Sequence, residues 1–315
     1  MSKILITGGA GFVGSAMARK LAEFPGDEIV IADNLLTGLV SNIPVSPFNN
    51  IRFIKCDVNN FNDVSGLFYA NNFDYVFHYA AMVGVNRTLL NPVKVLNDID
   101  GIKNILNLSK NTQVKRVFFS SSSEVYGEPF EIPQNENTTP LNSRLPYAIV
   151  KNVGEAFLRS YHAEYGLDYT IFRFFNTYGP NQSKDFVINK FLDAALAGDK
   201  LTIYGNGEQT RTFCYIDDNI DACEKIFRES ACVNDVVNIG SDIETHILDL
   251  AQRIIDLTKS TSTIEHLPPL KEGDMTRRKP DNNKMMDILD RQLIPLNDGL
   301  KTIIDSLKPA KNVWH

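Results

Sequence analysis

The sequence predicts an α/β protein in which a doubly wound parallel sheet carries helices on both faces and is joined to a smaller α/β lobe. Three observations support this prediction. Short apolar runs alternate with segments of helical spacing, which is the pattern of successive βαβ units. The runs are apolar almost throughout, as strands buried on both faces of a sheet are. The pattern becomes less regular after about residue 175, where we predict the second lobe.

Seven apolar segments are predicted to be strands, in chain order. They are Ile4–Ile6, Glu28–Ala32, Ile51–Ile54, Tyr75–His78, Arg116–Phe119, Tyr169–Phe174 and Val236–Ile239. Apolar residues recurring at intervals of three and four predict helices over Ser15–Phe24, Val93–Ser109 and Tyr147–Tyr165. Two stretches rich in Pro, Asn and Ser, Asn42–Asn50 and Glu128–Pro146, are predicted to be connections at the edge of the sheet.

The composition excludes several classes of protein. Hydrophobic residues make up 43% and charged residues 22% of the 315 residues, as in ordinary globular domains. The 32 Lys and Arg against 38 Asp and Glu give a net charge of −6, which argues against a general nucleic-acid binder. No apolar run approaches the roughly 18 residues of a membrane span, and the opening MSKILITGG lacks the layout of a signal peptide. We therefore expect a cytoplasmic protein without nucleic-acid or membrane partners.

Four cysteines, Cys56, Cys214, Cys223 and Cys232, are scattered along the chain. No Cys-x-x-Cys pair occurs, and no histidine lies beside the cysteines at the spacing of zinc ligands. We expect reduced thiols at these positions and no metal site.

The first predicted strand ends in the turn TGGAGFVG, in which Gly8, Gly11 and Gly14 are three residues apart. A strand, this glycine spacing and a following helix form the turn that binds a dinucleotide pyrophosphate at a helix N-terminus. Asp33 ends the second strand, where a carboxylate can bind the adenosine ribose hydroxyls. No Arg or Lys follows in Asn34, Leu35 or Leu36, so NAD is favoured over NADP.

Further cofactor contacts are predicted where the third and fourth strands end. Asp57 and Val58 follow the third strand, where the adenine would lie, although Asp57 is also a candidate helix N-cap. Ala80 and Ala81 follow the fourth strand, and their small side chains leave room for the cofactor. His78 is expected to be packed or hydrogen-bonded rather than catalytic.

Tyr147 and Lys151 are four residues apart on a predicted helix, which places both on one face. A free tyrosine has a pKa near 10, and a neighbouring ammonium together with a cationic nicotinamide would lower that pKa by favouring the phenolate. Tyr147 would then take a proton from a sugar hydroxyl while a hydride leaves for the nicotinamide. A serine of SSSSEVYG, at the end of the fifth strand, would hold the same hydroxyl.

The chain resembles the extended short-chain dehydrogenase/reductases, specifically the NAD-dependent nucleotide-sugar epimerase, dehydratase and decarboxylase group. The matching segments follow one another over nearly the whole length: TGGAGFVG, Asp33-Asn34, HYAA, NDIDGIKN, SSSSEVYG, YAIVK, RFFNTYGP, YGNGEQTRTFCYIDD and VNIGS. The resemblance implies a Rossmann-type NAD-binding domain of residues 1–174 plus about 212–240. It implies a nucleotide-sugar-binding lobe of about residues 175–211 plus 241–315, and a homodimer formed through the two long helices.

The resemblance also implies site residues. The catalytic serine lies four positions before the tyrosine of Val-Tyr-Gly, which is Ser122, and it acts with Tyr147 and Lys151. Additional NAD contacts are implied for Phe12, Val13, Asn34 and Asn97. Substrate contacts are implied for Ser123, for Asn176 and Arg211 at the diphosphate, and for Arg278. The shared chemistry begins with oxidation of a hexose at carbon four by bound NAD. Inversion, elimination or decarboxylation follows, and the hydride then returns to the sugar.

Two residues bear on the reaction type. Glu124 directly follows the serines, as in the Ser-Glu-Val-Tyr-Gly of UDP-glucuronate decarboxylases, and is implied as a catalytic acid or base near carbons five and six. Arg278 lies in Arg-Arg-Lys-Pro-Asp and matches the decarboxylase arginine that faces the substrate's acid end, a role that the planar guanidinium suits. UDP-glucuronate decarboxylation is therefore the preferred specific activity.

Other activities stay open. The segment MVGVNRTLLNP is closer to epimerases than to decarboxylases, although Val83 stands where galactose-type epimerases carry a lysine. A UDP-sugar 4-epimerase, acting on UDP-glucose, UDP-glucuronate or a UDP-N-acetylhexosamine, is the second alternative, and an NDP-hexose dehydratase is the third. A non-catalytic NAD sensor on the same fold is a fourth, and the intact set of Ser122, Tyr147 and Lys151 argues against it.

Overall fold

The computed structural model describes residues 2–269 and 277–307. Within these residues the strands are β1 Ser2–Thr7, β2 Asp27–Asp33, β3 Ile51–Lys55, β4 Tyr75–His78, β5 Arg116–Ser122, β6 Asp168–Phe174, β7 Thr177–Tyr178, β8 Leu201–Tyr204, β9 Thr210–Thr212, β10 Cys214–Tyr215, β11 Asp235–Ile239, β12 Glu244–His246 and β13 Ile264–Leu267. The α-helices are α1 Phe12–Leu21, α2 Phe61–Asn71, α3 Val85–Leu90, α4 Pro92–Leu96, α5 Asp98–Asn111, α6 Pro146–Tyr165, α7 Val187–Ala197, α8 Ile216–Arg228, α9 Ile247–Thr258, α10 Asn283–Leu289 and α11 Leu296–Leu307.

Seven strands form one parallel sheet in the order β11-β6-β5-β4-β1-β2-β3. Each contains one of the seven predicted strand segments, so the predicted doubly wound parallel sheet is confirmed. The direction of strand addition reverses between β1 and β4. In open parallel sheets, ligands bind beyond the carboxyl ends of the strands at this reversal.

Both faces of the sheet are buried, and alternate residues of one strand contribute to opposite sides. Ile4 and Ile6 belong to one apolar cluster, whereas Leu5 belongs to the other. The first cluster contains residues of α1 and α8, and the second contains residues of α2, α5 and α6. This two-sided burial explains why the strands are apolar almost throughout.

The predicted helix over Val93–Ser109 is wrong in one respect, because the structure has two helices there. The break falls at Asn97, whose backbone N–H bonds to Lys94 O, three residues back, at 3.3 Å. Asn97 therefore ends α4 and precedes α5. The apolar spacing continues through the break, so the sequence pattern did not reveal it. The predicted helix over Ser15–Phe24 also starts too late, because α1 begins directly after Gly11.

Helix α6 begins and ends where local chemistry dictates. Pro146 occupies its first turn, where the missing N–H of proline costs no helical hydrogen bond. Gly166 ends the helix in the left-handed region with φ +71°, which glycine adopts without strain. The helix carries Tyr147 and Lys151 one turn apart, at the end nearest the carboxyl edge of the sheet.

Among the described residues beyond β6, the strands other than β11 form three two-stranded sheets. Strand β7 pairs with β10 and β8 with β13 in parallel, and β9 pairs with β12 antiparallel. Leu192, Ile203, Leu250 and Leu300 of this region belong to the same apolar cluster as Ile4. The predicted division into two domains stays a prediction, and its parts 270–276 and 308–315 lie outside the described residues. No helix among the described residues is long and apolar enough to cross a membrane.

Candidate active site

A cavity of about 1040 Å³ lies beyond the carboxyl ends of β1, β2, β4 and β5. Its lining includes every residue predicted to contact the cofactor: Gly8, Gly11, Phe12, Val13, Gly14, Asp33, Asn34, Asp57, Val58, Ala80, Ala81, Asn97, Tyr147 and Lys151. The lining also includes Ser122, Ser123, Glu124, Asn176 and Arg278, which were predicted for catalysis or substrate binding. The cavity therefore collects on one surface residues that are up to 270 positions apart (278 − 8).

The glycine turn has the shape that a pyrophosphate requires. Gly8 has φ +69°, and a Cβ there would lie 2.7 Å from Ala80 N. A Cβ at Gly14 would overlap the carbonyl oxygen of Gly8. No side chain caps α1, and its first turn holds no acidic residue. The first-turn N–H groups and the positive end of the helix dipole are therefore available to an anionic group.

Asp33 lies buried beside this turn, and its carboxylate is fixed by the backbone. Oδ2 accepts a hydrogen bond from Ala10 N at 3.0 Å, and Oδ1 accepts one from Leu35 N at 2.8 Å. Each carboxylate oxygen can accept a further bond, which is what the two hydroxyls of a ribose require. Turn, helix end and carboxylate together fit an adenine dinucleotide.

Asp57 does not cap a helix, so that alternative is wrong. The N-cap of α2 is Asn60, whose side chain accepts from Asn62 N. Asp57 instead accepts from Asn59 N at 3.0 Å through Oδ1, and from Asn34 Nδ2 at 3.3 Å through Oδ2. The contact with Asn34 joins the ends of β2 and β3 at the edge of the cavity.

His78 is a packed, hydrogen-bonded residue. Its Nδ1 lies 2.8 Å from Thr7 Oγ1, and it is absent from the described cavity lining. Burial, together with the charge of Lys151, lowers the pKa of His78 to about 3. The imidazole is therefore neutral near pH 7.

Lys151 is buried in the part of the cavity lining beside the end of β5, which we call the inner end of the cavity. Its Nζ donates to Ser120 Oγ at 3.3 Å and lies 5.0 Å from the centre of the Phe119 ring and 5.7 Å from that of the Tyr147 ring. Burial lowers the pKa of Lys151 to about 8, and the charge of Asp98 opposes that effect. The ammonium form is thus the main form at neutral pH.

Tyr147 is a protonated phenol in the protein alone. Burial raises its pKa, the charge of Glu124 raises it further, and a hydrogen bond with Ser122 lowers it. The sequence predicts a lowered pKa from a nearby ammonium and a cationic nicotinamide together. Within the protein alone, burial outweighs the lowering contributions, so the phenolate needs the additional positive charge of a cofactor.

The four consecutive serines have separate partners. Ser120 accepts from Lys151, Ser121 donates to Glu155 Oε1 at 2.6 Å, and Ser122 lies close enough to Tyr147 to lower the pKa of its phenol. Ser122 Oγ also accepts from Glu124 N at 3.2 Å, because β5 passes directly into a 3-10 helix over Ser123–Tyr126. The arrangement favours Ser122 among the four as the partner of Tyr147.

Glu124 is ion-paired with Arg278. Arg278 Nη1 donates to Glu124 Oε1 at 2.6 Å, and both side chains line the cavity with exposed fractions of 7% and 20%. The segment after Arg278 is held against the loop that follows the 3-10 helix. Gln134 N donates to Lys279 O, and Asp281 N donates to Gln134 O, both at 2.8 Å. The sequence does not reveal this pairing.

A buried polar network lies beneath the site. Arg173 on β6 binds Glu155 on α6 through two bonds, Nε–Oε1 at 2.9 Å and Nη2–Oε2 at 2.7 Å. Arg173 Nη1 donates to Tyr126 OH at 2.8 Å, and that hydroxyl donates to Asn238 Oδ1 at 2.7 Å. Asn238 Nδ2 in turn donates to Gln134 O and to Asp281 O. The network joins α6, the 3-10 helix and the segment that carries Arg278.

Some lining residues were not predicted, and one predicted residue lies elsewhere. Arg87 and Asp185 line the cavity and form an ion pair at 3.4 Å between α3 and the loop before α7. Asp98 lines it at the start of α5. Arg211 lies on β9, donates to Thr210 O at 2.7 Å and is absent from the described lining. Its predicted contact with the diphosphate stays a prediction.

Comparisons with known proteins agree with this geometry. A family model described as the NAD dependent epimerase/dehydratase family matches residues 4–240. The chain is 36% identical to UDP-N-acetyl-alpha-D-glucosaminuronate decarboxylase of Bacillus cytotoxicus, over 98% of this chain and 99% of that protein. It is 34% identical to UDP-glucuronic acid decarboxylase 1 of Danio rerio, over 96% of this chain and 72% of that protein. A solved UDP-glucose 4-epimerase of Thermotoga maritima, with UDP-glucose, superposes with a TM-score of 0.89 at 31% identity and covers 96% of this chain and 97% of the other.

Proposed function

The chain belongs to the NAD-dependent epimerase/dehydratase family, and on that basis we propose that it is a decarboxylase of a UDP-hexuronate. It is an NAD-dependent enzyme of nucleotide-sugar modification. UDP-glucuronate is the preferred substrate, and the corresponding 2-acetamido sugar is the next, because the two similar curated proteins named above are decarboxylases of these two kinds.

The ion pair between Glu124 and Arg278 carries this proposal. A 4-epimerase needs only to oxidise carbon four, turn the keto-sugar and reduce it again. The carboxylate of Glu124 and the guanidinium of Arg278, which lie together in the cavity lining, are groups that those three steps do not need. They suit a substrate with an acid at carbon six, because the fork of arginine donates two parallel bonds to a carboxylate. Glu124 would supply the acid/base group that decarboxylation needs.

The cavity has a place for each part of NAD. The glycine turn and α1 would hold the pyrophosphate, Asp33 the adenosine ribose, and Asp57 and Val58 the adenine. Bound here, NAD would supply a hydride acceptor for carbon four and a positive charge beside the phenol. Lys151 and Tyr147, at the inner end, would then act on the sugar hydroxyl.

The chain's own residues would perform the proton steps. Tyr147 takes the proton of the carbon-four hydroxyl, and Ser122 holds that hydroxyl through a hydrogen bond. Lys151 stabilises the resulting phenolate by its charge. With its carbon-four hydride also lost to the bound acceptor, the sugar would become a β-keto acid. Arg278 orients its carboxylate, the bond between carbons five and six breaks, and carbon dioxide leaves while the electron pair enters the enolate. A proton from solvent, relayed through Glu124 to carbon five, restores the ketone. Return of the hydride to carbon four, with the proton held by Tyr147, would give the alcohol.

The test incubates the protein with NAD and UDP-glucuronate, and in parallel with UDP-N-acetylglucosaminuronate. We expect release of carbon dioxide and a UDP-pentose, identified by mass and by NMR. UDP-glucose and UDP-N-acetylglucosamine serve as substrates that lack the acid group. A product of unchanged mass, epimeric at carbon four, would overturn the decarboxylase proposal.

A UDP-sugar 4-epimerase is the second candidate, and the segment MVGVNRTLLNP favours it. That segment includes Val83, Gly84 and Arg87 of the cavity lining and is closer to epimerases. An NDP-hexose dehydratase is the third candidate. The mass of the product separates the three, because epimerisation leaves it unchanged, whereas decarboxylation removes carbon dioxide and dehydration removes water.

We also propose a cytoplasmic homodimer. Its interface would use the helices α5 and α6 together with the adjoining α4, on which Val93, Leu96, Ile149 and Tyr165 expose apolar surface. The four cysteines are unpaired thiols, as expected in a reducing compartment. Sedimentation equilibrium tests the dimer, and a monomeric mass would refute it. Cell fractionation tests the location.

A further inference from the structure

Lys151 carries a buried charge for which the described part of the chain provides no contacting carboxylate. Its Nζ donates to a neutral hydroxyl, Ser120 Oγ, and lies over the Phe119 ring. No ion pair within 4.0 Å joins it to a described acidic residue. A buried ammonium without a counter-charge tends to lose its proton. A negative charge elsewhere in the cavity is therefore needed to keep Lys151 charged.

Asp98 carries the complementary charge. It is the first residue of α5 and lines the same cavity as Lys151. Its carboxylate is fixed by two neutral donors: Met82 N donates to Oδ2 at 2.7 Å, and Asn59 Nδ2 donates to Oδ1 at 3.3 Å. No described cation contacts it closely enough to form an ion pair. Asp98 is held by Met82, which follows β4, whereas Lys151 is held by Ser120 on the neighbouring strand β5. The two charges therefore lie beyond adjacent strands, and neither is in contact with a described charge of opposite sign.

We propose that Asp98 is a positioning residue that acts through Lys151. Its carboxylate, across the inner end of the cavity, keeps the Lys151 amine in the charged ammonium form. Opposite charges attract more strongly at an effective dielectric constant near 20 than in water. The attraction strengthens further when ligands expel water from the cavity. Burial lowers the pKa of Lys151 and raises the pKa of Asp98, and the charge of each group opposes the effect of burial on the other. The relation is therefore reciprocal, as linkage requires.

Other titratable groups near Lys151 do not supply this charge. His78, on β4, is neutral because burial lowers its pKa to about 3. Tyr147, on α6 itself, is a protonated phenol whose pKa burial raises. Neither carries a negative charge at neutral pH.

The charged groups on the remaining neighbouring elements are also accounted for. Glu124, on the 3-10 helix, is paired with Arg278 at 2.6 Å. Lys94, on α4, is an exposed cation. Asp98 on α5 is the group whose charge opposes the effect of burial on the pKa of Lys151.

The substitution Asp98→Asn removes the charge and keeps the shape. The new amide oxygen can accept from Met82 N. The new amide nitrogen can donate to Asn59, whose Oδ1 is buried and has no hydrogen-bond partner in the described structure. Asp100→Asn is the matched control, because Asp100 lies two residues further along α5 with a side chain that is 66% exposed. The control removes one charge from the same helix without changing the cavity.

The first measurement is the ionisation of Lys151 in the full chain. The protein is labelled with ¹³C-lysine, the Cε resonance of Lys151 is assigned with Lys151→Met, and its pH titration is followed by NMR. In Asp98→Asn we expect the midpoint to fall by about one pH unit, whereas Asp100→Asn leaves it unchanged. An unchanged or raised midpoint in Asp98→Asn overturns the inference.

The second measurement is kinetic, and only this one rests on the proposed function. The alkaline limb of kcat/KM for the NAD-loaded enzyme should move to lower pH in Asp98→Asn. Activity should fall about tenfold at pH 9 and stay within about twofold at pH 6.5. A lowered NMR midpoint without turnover of any UDP-hexuronate would retain the role of Asp98 and refute the function. Turnover of a UDP-hexuronate, with the NMR midpoint and the pH profile both unshifted in Asp98→Asn, would retain the function and refute the role of Asp98.

Discussion

Glu124 and Arg278, 154 positions apart in the chain, form an ion pair with a distance of 2.6 Å between Oε1 and Nη1. The sequence singles out each residue separately, one after a serine run and the other in an Arg-Lys-Pro segment. Their contact makes them one unit, so a substitution at either position alters the environment of the other. This unit lies in the same cavity as Tyr147.

Glu124→Gln should separate the first oxidation from decarboxylation. The amide still accepts from Arg278 but transfers no proton, and loss of a positioned acid or base costs about 100-fold or more in rate. We expect carbon dioxide release to fall by that factor, while reduced nicotinamide still forms with UDP-glucuronate and is detected by its absorbance. Glu128→Gln, an exposed glutamate four residues on, is the control. Equal loss of both signals would show that Glu124 acts before decarboxylation.

Arg278→Lys should weaken recognition of the acid group. Lysine keeps the charge but cannot donate two parallel bonds to one carboxylate. We expect the KM for UDP-glucuronate to rise about tenfold, equivalent to about 1.4 kcal/mol, while the Kd of UDP-glucose, measured by calorimetry, stays within about twofold. Arg277→Lys is the matched control, because Arg277 pairs with Glu244 at 2.5 Å on the exposed side. If the binding of UDP-glucuronate and that of UDP-glucose weaken equally, Arg278 does not recognise the carboxylate.

His78 should make the protein less stable in acid. Its folded-state pKa is lowered to about 3 by burial, below the unfolded value of about 6.5. The unfolded chain therefore binds a proton first as the pH falls, and stability is lost between about pH 6.5 and pH 3. From pH 7 to pH 5 this contributes about 2 kcal/mol to the drop in the free energy of unfolding. Urea unfolding of His78→Asn should show a drop smaller by about that amount, and equal drops would contradict the buried neutral imidazole.

Tyr126→Phe should destabilise the network beneath the site. The change leaves Asn238 Oδ1 without its donor and removes one of the two acceptors of Arg173 Nη1, the other being Glu136 O. An unsatisfied buried polar group costs about 1–3 kcal/mol, which denaturant unfolding measures. Tyr161→Phe is the control, because it removes a single bond to Asn107 at 2.7 Å in a partly exposed position. Losses of the same size in both variants would argue against a cooperative buried network.

The sheet could be predicted from the sequence because each strand is a local apolar run. Because a strand buried on both faces needs apolar residues at nearly every position, it can be recognised from a short stretch of sequence. The glycine turn and Asp33 could be predicted because they directly follow such strands in the chain. The break at Asn97 was missed because apolar spacing continues through it. The contact of Glu124 with Arg278, and that of Asp98 with Met82, depend on which loops meet in space. The local sequence pattern does not indicate which distant segments come into contact.

Arg173 illustrates a signal that was present. A charged residue inside the segment YTIFRF, predicted to be buried on both faces, requires a partner of opposite charge. Glu155, on the predicted helix over Tyr147–Tyr165, is that partner. The sequence therefore contained both halves of the buried pair, although not their register.

The hydrogen bonds between Gln134 and the Lys279–Asp281 segment have a consequence for the energetics of recognition. The residues after Arg278 are hydrogen-bonded to Gln134, in the loop that follows Glu124. Asn238 also donates a hydrogen bond to Asp281 O in the same stretch. The backbone next to Arg278 is therefore ordered, and Glu124 holds the guanidinium itself. In the proposed decarboxylase, an acidic substrate would meet a donor whose backbone is already ordered, so less of the binding free energy would be lost to the entropy of fixing it.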